Sequence, residues 1–229
     1  QFTEAIRGLV DGCKALGTPV TGGNVSFYNE TGGQAILPTP TIGMLGVIDN
    51  VEWRIKAGFQ HPGDAVYILG RTREELSGSA WAEVVHRHLG GEPPMVDFDQ
   101  HRRLAAFFAQ TARENVLVSA HDLSDGGLAI ALTECCLRQD RGVEITLPGD
   151  PFLGLFSETA GRVLVSVNPL QEVELIKLAN QYDIRIARLG QVTDRPELTV
   201  EGLFTLRLPA LRRNWRAPIP TAVGLPVPD

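Results

Sequence analysis

At 229 residues the chain can bury a sizeable core, as one large domain or two small ones. Its 43% hydrophobic and 21% charged residues are ordinary for a globular protein, and no apolar run of about 18 residues offers a membrane span. A net charge of −6 without a basic stripe argues against nucleic acid as the main partner, while leaving room for small anionic ligands.

In chain order, Phe2, Ile6, Leu9, Val10, Cys13 and Leu16 recur at three- and four-residue steps and predict an amphipathic helix. Gly17 takes the C-terminal position and Pro19 prevents continuation. Because the pattern is already helical at Gln1, with neither Met nor an apolar leader, the chain reads as a piece of a longer protein. Residues 20–28 read as a strand. Thr31-Gly32-Gly33 opens a loop through Pro38 and Pro40, too long for a tight hairpin, and residues 42–48 read as a returning strand.

Near residue 60 the pattern changes. Pro62-Gly63-Asp64 is a turn signal, followed by the buried-strand run Ala65-Val66-Tyr67-Ile68-Leu69. Helices are predicted over about 79–89, 98–114, 126–138 and 170–181. Strands are predicted over 116–120, 143–147, 162–167, 184–192, 197–201 and 203–208. Such alternation implies a layered α/β (α+β) domain. A boundary falls at about residue 58, so the expected parts are 1–58, 59–216 and a proline-rich surface tail, 217–229.

Three cysteines, Cys13, Cys135 and Cys136, are an odd number without CxxC spacing, against both a disulfide framework and a zinc site. Cys135 and Cys136 fall in an apolar helical stretch and read as buried free thiols of a reducing cytoplasm. His86 and His88 lie two apart on a helix and do not share a face, which excludes a metal pair. Arg102 and Arg103 read as a solvated face.

Two segments carry candidate chemistry. In Gly22-Gly23-Asn24-Val25-Ser26-Phe27-Tyr28, strand alternation would put Asn24, Ser26 and Tyr28 on one face and Val25 and Phe27 on the other. Glycine N–H groups suit a phosphate, the Asn24 oxygen suits a hard cation such as magnesium, and Ser26 can donate to an anionic oxygen. Equally, the glycines could mark only a bulge, with Asn24 and Ser26 meeting water. In His121-Asp122-Leu123-Ser124-Asp125-Gly126-Gly127, a strand feeds a glycine turn and a helix N-terminus. This builds either an anion site or a turn capped by Ser124 or Asp125. With no serine or cysteine nucleophile evident, His121 reads as a satisfied turn histidine rather than a base oriented by Asp122.

The run Gly17-Thr18-Pro19-Val20-Thr21-Gly22-Gly23-Asn24-Val25-Ser26-Phe27-Tyr28-Asn29-Glu30 resembles a signature of one synthetase family. That family comprises the short-type synthetase subunits of phosphoribosylformylglycinamidine synthase, also called formylglycinamide ribonucleotide amidotransferase. The preceding helix, the Pro-Thr-Pro-Thr-Ile-Gly-Met-Leu-Gly-Val-Ile stretch, Pro62-Gly63-Asp64, the His121–Leu128 run and Phe156-Ser157-Glu158 extend the likeness to about residue 216.

The resemblance implies the end of a second ATP-binding domain of the aminoimidazole ribonucleotide synthetase superfamily, then that superfamily's C-terminal α/β domain. It further implies that Gly23 contributes to an ATP site, Asn24 ligates magnesium and Ser26 contacts formylglycinamide ribonucleotide. Catalytic residues are expected in a first half that this stretch does not include. The 121–127 loop and Glu158 would line an auxiliary nucleotide pocket, although a structural turn and a surface carboxylate are the alternatives. With no glutaminase domain after Trp215, ammonia is expected from a separate glutaminase subunit with a small bridging subunit. Rival readings are another ATP enzyme of the superfamily, or a structural module that is catalytically incomplete in isolation.

Overall fold

Apolar spacing and a glycine stop produce the first helix as expected. In the computed structural model, which describes residues 1–24, 30–37 and 39–227, helix α1 spans Phe2–Leu16. It ends at Gly17, whose N–H donates to the Lys14 carbonyl. The chain divides into two compact units, Gln1–Asp49 and Asn50–Asp229.

The first unit departs from expectation after α1. Residues 20–24 have no regular secondary structure, so the described part of the expected strand is not one, and residues 25–29 lie outside the described residues. The segment expected as a long loop instead holds a tight hairpin. Strand β1 (Glu30–Thr31) pairs antiparallel with β2 (Gln34–Ala35). Its two central residues, Gly32 and Gly33, have φ of 57° and 80°, the pair of positive values that a two-residue hairpin turn with the right twist requires. Residues 42–48 do not form the expected strand, and Ile42, Met44, Leu45 and Val47 are exposed. The reason is physical. Strands persist as paired ladders, and the only ladder among the described residues of this unit is the short hairpin.

The second unit is built on a seven-stranded mixed sheet. Its strands are β3 (Ala65–Leu69), β4 (Leu117–Asp122), β5 (Gly142–Ile145), β6 (Val163–Val167), β7 (Ile186–Thr193), β8 (Glu197–Val200) and β9 (Phe204–Arg207). The spatial order is β4-β6-β3-β7-β5-β8-β9, antiparallel throughout except for the parallel β5–β8 pair. Strand β3 is buried along its whole length, which explains its unbroken apolar run.

Alternation along β3 divides the core. Ala65, Tyr67 and Leu69 pack with Leu104 and Phe107 of α3 (Phe98–Arg113) and with Leu175, Leu178 and Ala179 of α6 (Glu172–Gln181). Val66 and Ile68 join Leu128, Ala131, Leu132, Cys135 and Cys136 of α4 (Gly127–Gln139) on the opposite face. Helices therefore cover both sides of the sheet, giving an α/β domain. Among the described residues no helix is long and apolar enough to cross a membrane.

The remaining helices are short. Helix α2 (Ala80–His86) is capped by Ser79, whose Oγ accepts the Ala82 N–H at 3.2 Å. Two helices lay outside the sequence reading: α5 (Pro151–Phe156), capped by Asp150, and α7 (Leu208–Arg216). The tail from 217 to 229, expected as an extension, contains α8 (Pro218–Ala222). All three carry proline in their first turn, where it lacks only an N–H that the helix does not use.

Burial pushes the Cys135 thiol up to about 12 and Cys136 upward as well, while Cys13 is partly exposed. A disulfide reagent at pH 8 should therefore titrate one thiol in the folded chain and all three after denaturant is added, because the thiolate is the reactive form. Fast reaction of more than one thiol in the native chain would contradict this packing.

Candidate functional site

The polar organisation of the second unit centres on the turn between α5 and β6. Ser157, Thr159 and Arg162 are all buried there. The Ser157 hydroxyl donates to the Arg73 carbonyl at 2.7 Å, and the Thr159 hydroxyl oxygen accepts the Arg73 N–H at 3.0 Å. The Glu158 N–H donates to the Glu75 carbonyl. Residues 157–159 thus hold the backbone of the β3–α2 connection at two points.

Glu158 lies between two helix starts. Its Oε1 accepts the N–H of Gly126 at 2.7 Å, at the start of α4, and the N–H of Ala80 at 2.8 Å, the first residue of α2. The anion-attracting helix end read from the 121–127 segment is therefore occupied by the chain's own carboxylate. Ser124 and Asp125 are not the cap: the N-cap residue is Gly126, without a side-chain cap of its own. Glu158 is half-buried, not a surface carboxylate. Gly127 sits tightly below it, with φ of 63°. A Cβ there would stand 2.5 Å from the Ser157 carbonyl oxygen.

His121 lies in β4, not in the turn. Its Nδ1 faces the Asp122 carbonyl at 2.6 Å, and its Nε2 is 2.9 Å from the Glu134 carboxylate on α4. Both ring nitrogens thus face oxygen acceptors, and the histidine ties strand to helix. Arg103, expected with Arg102 on a solvated face, is half-buried, its Nη2 4.0 Å from Asp183.

Gly23 and Asn24 lie exposed in the irregular segment before residue 25, and Ser26 lies outside the described residues. A Cβ at Gly22 or Gly23 would meet open space, so no described atom of this chain makes the close approach that the paired glycines suggested. Asn24 offers one hard oxygen donor of the kind magnesium takes. No group of three or more His, Cys, Asp or Glu among the described residues is placed to hold a metal. Asn24 therefore fits as a single ligand, not as a complete site.

Sequence reasoning missed Glu158 as the shared cap and Arg162 as its support. Arg162, a lone charge directly before the apolar run of β6, was the available signal.

Comparison with known proteins agrees with this architecture. A family model described as AIR synthase related protein, C-terminal domain, matches residues 61–202, and the corresponding N-terminal domain matches residues 1–48. The chain belongs to the AIR synthase related protein family. Its curated relatives include the phosphoribosylformylglycinamidine synthase subunit PurL of Cutibacterium acnes, 51% identical over 226 residues. The subunit of the same name from Thermobifida fusca is 50% identical over 227 residues. Both alignments take in 98% of this chain and 30% of the relative, so the chain spans about 30% of the length of these relatives.

Among solved structures, Thermotoga maritima PurL complexed with FGAR matches with a TM-score of 0.59 at 16% identity, over 70% of this chain and 30% of that one. T. maritima PurL complexed with ATP matches with a TM-score of 0.56 at 17% identity, over 70% and 27% of the two chains. The shared fold is the content of those two matches.

Removing the shared cap should be costly. Glu158→Ala leaves the Gly126 and Ala80 N–H groups without their acceptor and should lower unfolding free energy by about 1–3 kcal/mol, with Glu158→Gln, which keeps an oxygen, losing less. Gly127→Ala should cost roughly 2 kcal/mol or more through the carbonyl clash and the positive φ. Urea titrations check all three; equal stability of Glu158→Ala and the parent would remove the capping role.

Proposed function

We propose that this chain is the C-terminal part of the synthetase that makes formylglycinamidine ribonucleotide from formylglycinamide ribonucleotide, ATP and ammonia in purine biosynthesis. The observation that carries the reading is the identity of 47–51% to PurL subunits over 98% of the chain. Support also comes from the family signature over residues 17–30.

The proposed chemistry has two steps. The substrate amide oxygen attacks the γ-phosphorus of ATP, ADP leaves, and the amide loses a proton, giving an iminophosphate. Ammonia then adds at that carbon, the carbon–oxygen bond breaks, and phosphate departs to leave the amidine. Such phosphoryl transfer needs positioning and charge neutralisation more than covalent help from the protein. Magnesium, when bound, would neutralise charge on the phosphate oxygens. In this chain, Asn24 would supply a carboxamide oxygen to that ion, the Gly23 backbone would border ATP, and the Ser26 hydroxyl would orient the ribonucleotide.

Because the chain represents under a third of its relatives' length, turnover is assigned to the complete polypeptide, and this stretch alone is expected to be inactive. Ammonia would be derived from glutamine by a separate glutaminase subunit, with a small bridging subunit. A solved T. maritima assembly named PurLQS supports a multi-subunit arrangement for this family. Two fully buried free thiols support a reducing, cytoplasmic setting.

In the complete enzyme supplied with free ammonia, Asn24→Ala should lower amidine formation by at least about tenfold and raise the magnesium concentration needed for half-maximal rate. An unchanged magnesium profile would remove Asn24 from the metal site.

A further inference from the structure

A cleft of about 470 Å³ opens in the second unit where the end of β3, the start of α3 and the α6–β7 connection meet. Four arginines line it, Arg71, Arg73, Arg103 and Arg185, against two aspartates, Asp97 and Asp183. This is a local excess of positive charge in a chain whose net charge is −6.

The arginines stand on well-anchored backbone. The Gly70 N–H donates to the Arg185 carbonyl at 2.8 Å, joining the two connections that carry Arg71 and Arg185. Arg73 is held on both sides of its peptide by Ser157 and Thr159. The Gln100 amide donates to the Gly161 carbonyl at 2.8 Å and fixes the first turn of α3.

The side chains, by contrast, have donors to spare. Among the described residues, the guanidinium groups of Arg71, Arg73 and Arg185 donate no hydrogen bond to another group of the chain. Arg103 has its one ion pair among the described residues with Asp183, at 4.0 Å, and that carboxylate is 92% exposed. The Nε–H of Arg103 is shielded from solvent and has no acceptor among the described residues. The two acids offset the set only in part, since four guanidinium groups face two carboxylates and a surplus of positive charge remains. Asp97 is committed as the cap of α3, accepting the Gln100 N–H at 2.9 Å. That bond holds its carboxyl below the usual range, with help from Arg103 and Arg73.

We propose that this cleft binds a small phosphate-bearing polyanion of the diphosphate class, gripped by the guanidinium groups of Arg71, Arg73, Arg103 and Arg185. Planar guanidinium forks pair bidentately with phosphate oxygens, and several converging on one concavity select for more than a single charge. The volume is that of a small-molecule site. A net charge of −6 disfavours a nucleic-acid strand. Free diphosphate and the diphosphate of a nucleotide share this chemistry.

Isothermal titration of the chain with inorganic pyrophosphate, without magnesium and at low ionic strength, tests the site. One pyrophosphate should bind per chain. Arg103→Met and Arg185→Met should each weaken it by at least about tenfold, the scale of one lost charge-assisted pairing. Arg207→Met, a control at an exposed position on β9, should leave binding unchanged. ADP competing with pyrophosphate identifies a nucleotide as the source of the diphosphate, and failure of ADP to compete identifies free diphosphate. Absence of binding, equal losses in Arg207→Met, or competition by adenosine would each overturn the proposal. Circular dichroism and thermal midpoints verify folding. Should Arg103→Met unfold, the exposed Arg185→Met variant decides alone.

Discussion

The buried guanidinium of Arg162 is the constraint on which the polar end of the sheet depends. Only 1% of the residue is exposed, and removing a charge from water costs several kcal/mol unless its donors are met. They are met by the Ser157 carbonyl, by the Thr72 hydroxyl at 3.1 Å and by the Thr159 carbonyl at 3.4 Å. Burial draws Arg162 down to about 10, against the opposing pull of Glu75 and Glu158, so it remains a cation at neutral pH. Because its donors reach both the α5–β6 turn and the β3–α2 connection, neither segment can move without stranding a buried charge. Glu158 can therefore stand between the starts of α2 and α4, and Arg73 is fixed in the cleft by the same residues.

What was legible in the sequence follows from how each element is stabilised. Elements held by a local apolar period, such as α1, α3, α4 and α6, were readable, as was β3 from its continuous apolar run. The two glycines of the β1–β2 turn were visible, but the strands they join are two residues long and carry no period to detect. Helices α5 and α7 were hidden by proline, which punctuates loops more often than it starts helices. The 20–28 segment and residues 42–48 read as strands from composition. Such a reading cannot say whether a partner strand is present to complete the ladder.

The candidate site divides along the same line. Gly23, Asn24 and Ser26 are singled out by resemblance to a long signature of mixed polar and glycine residues, whereas strand alternation as their physical rationale does not extend to the irregular residues 20–24. Glu158 and Arg162 could not be assigned from spacing, because their partners lie far away in sequence. Glu158 bonds Ala80 and Gly126, while Arg162 bonds Thr72. Long-range caps leave no mark in a window of ten residues. A single carboxylate shared by two helix starts is visible only once the chain is folded.

Charge placement then separates two kinds of anion attraction in the second unit. Helix N-termini recruit anions through N–H groups and the dipole, but at α2 and α4 these donors are already engaged by Glu158, and at α3 by Asp97. An outside anion would have to displace a bonded carboxylate there and leave it beside the new charge, which is unfavourable twice over. The cleft arginines outnumber the carboxylates beside them, four to two, and the Asp183 side chain is 92% exposed. Their backbone is restrained through Ser157, Thr159 and Gly161, while their guanidinium groups retain donors that no described residue uses. Internal carboxylates thus occupy the starts of α2, α3 and α4, whereas the cleft offers an external anion side chains whose positions Arg162 indirectly sets.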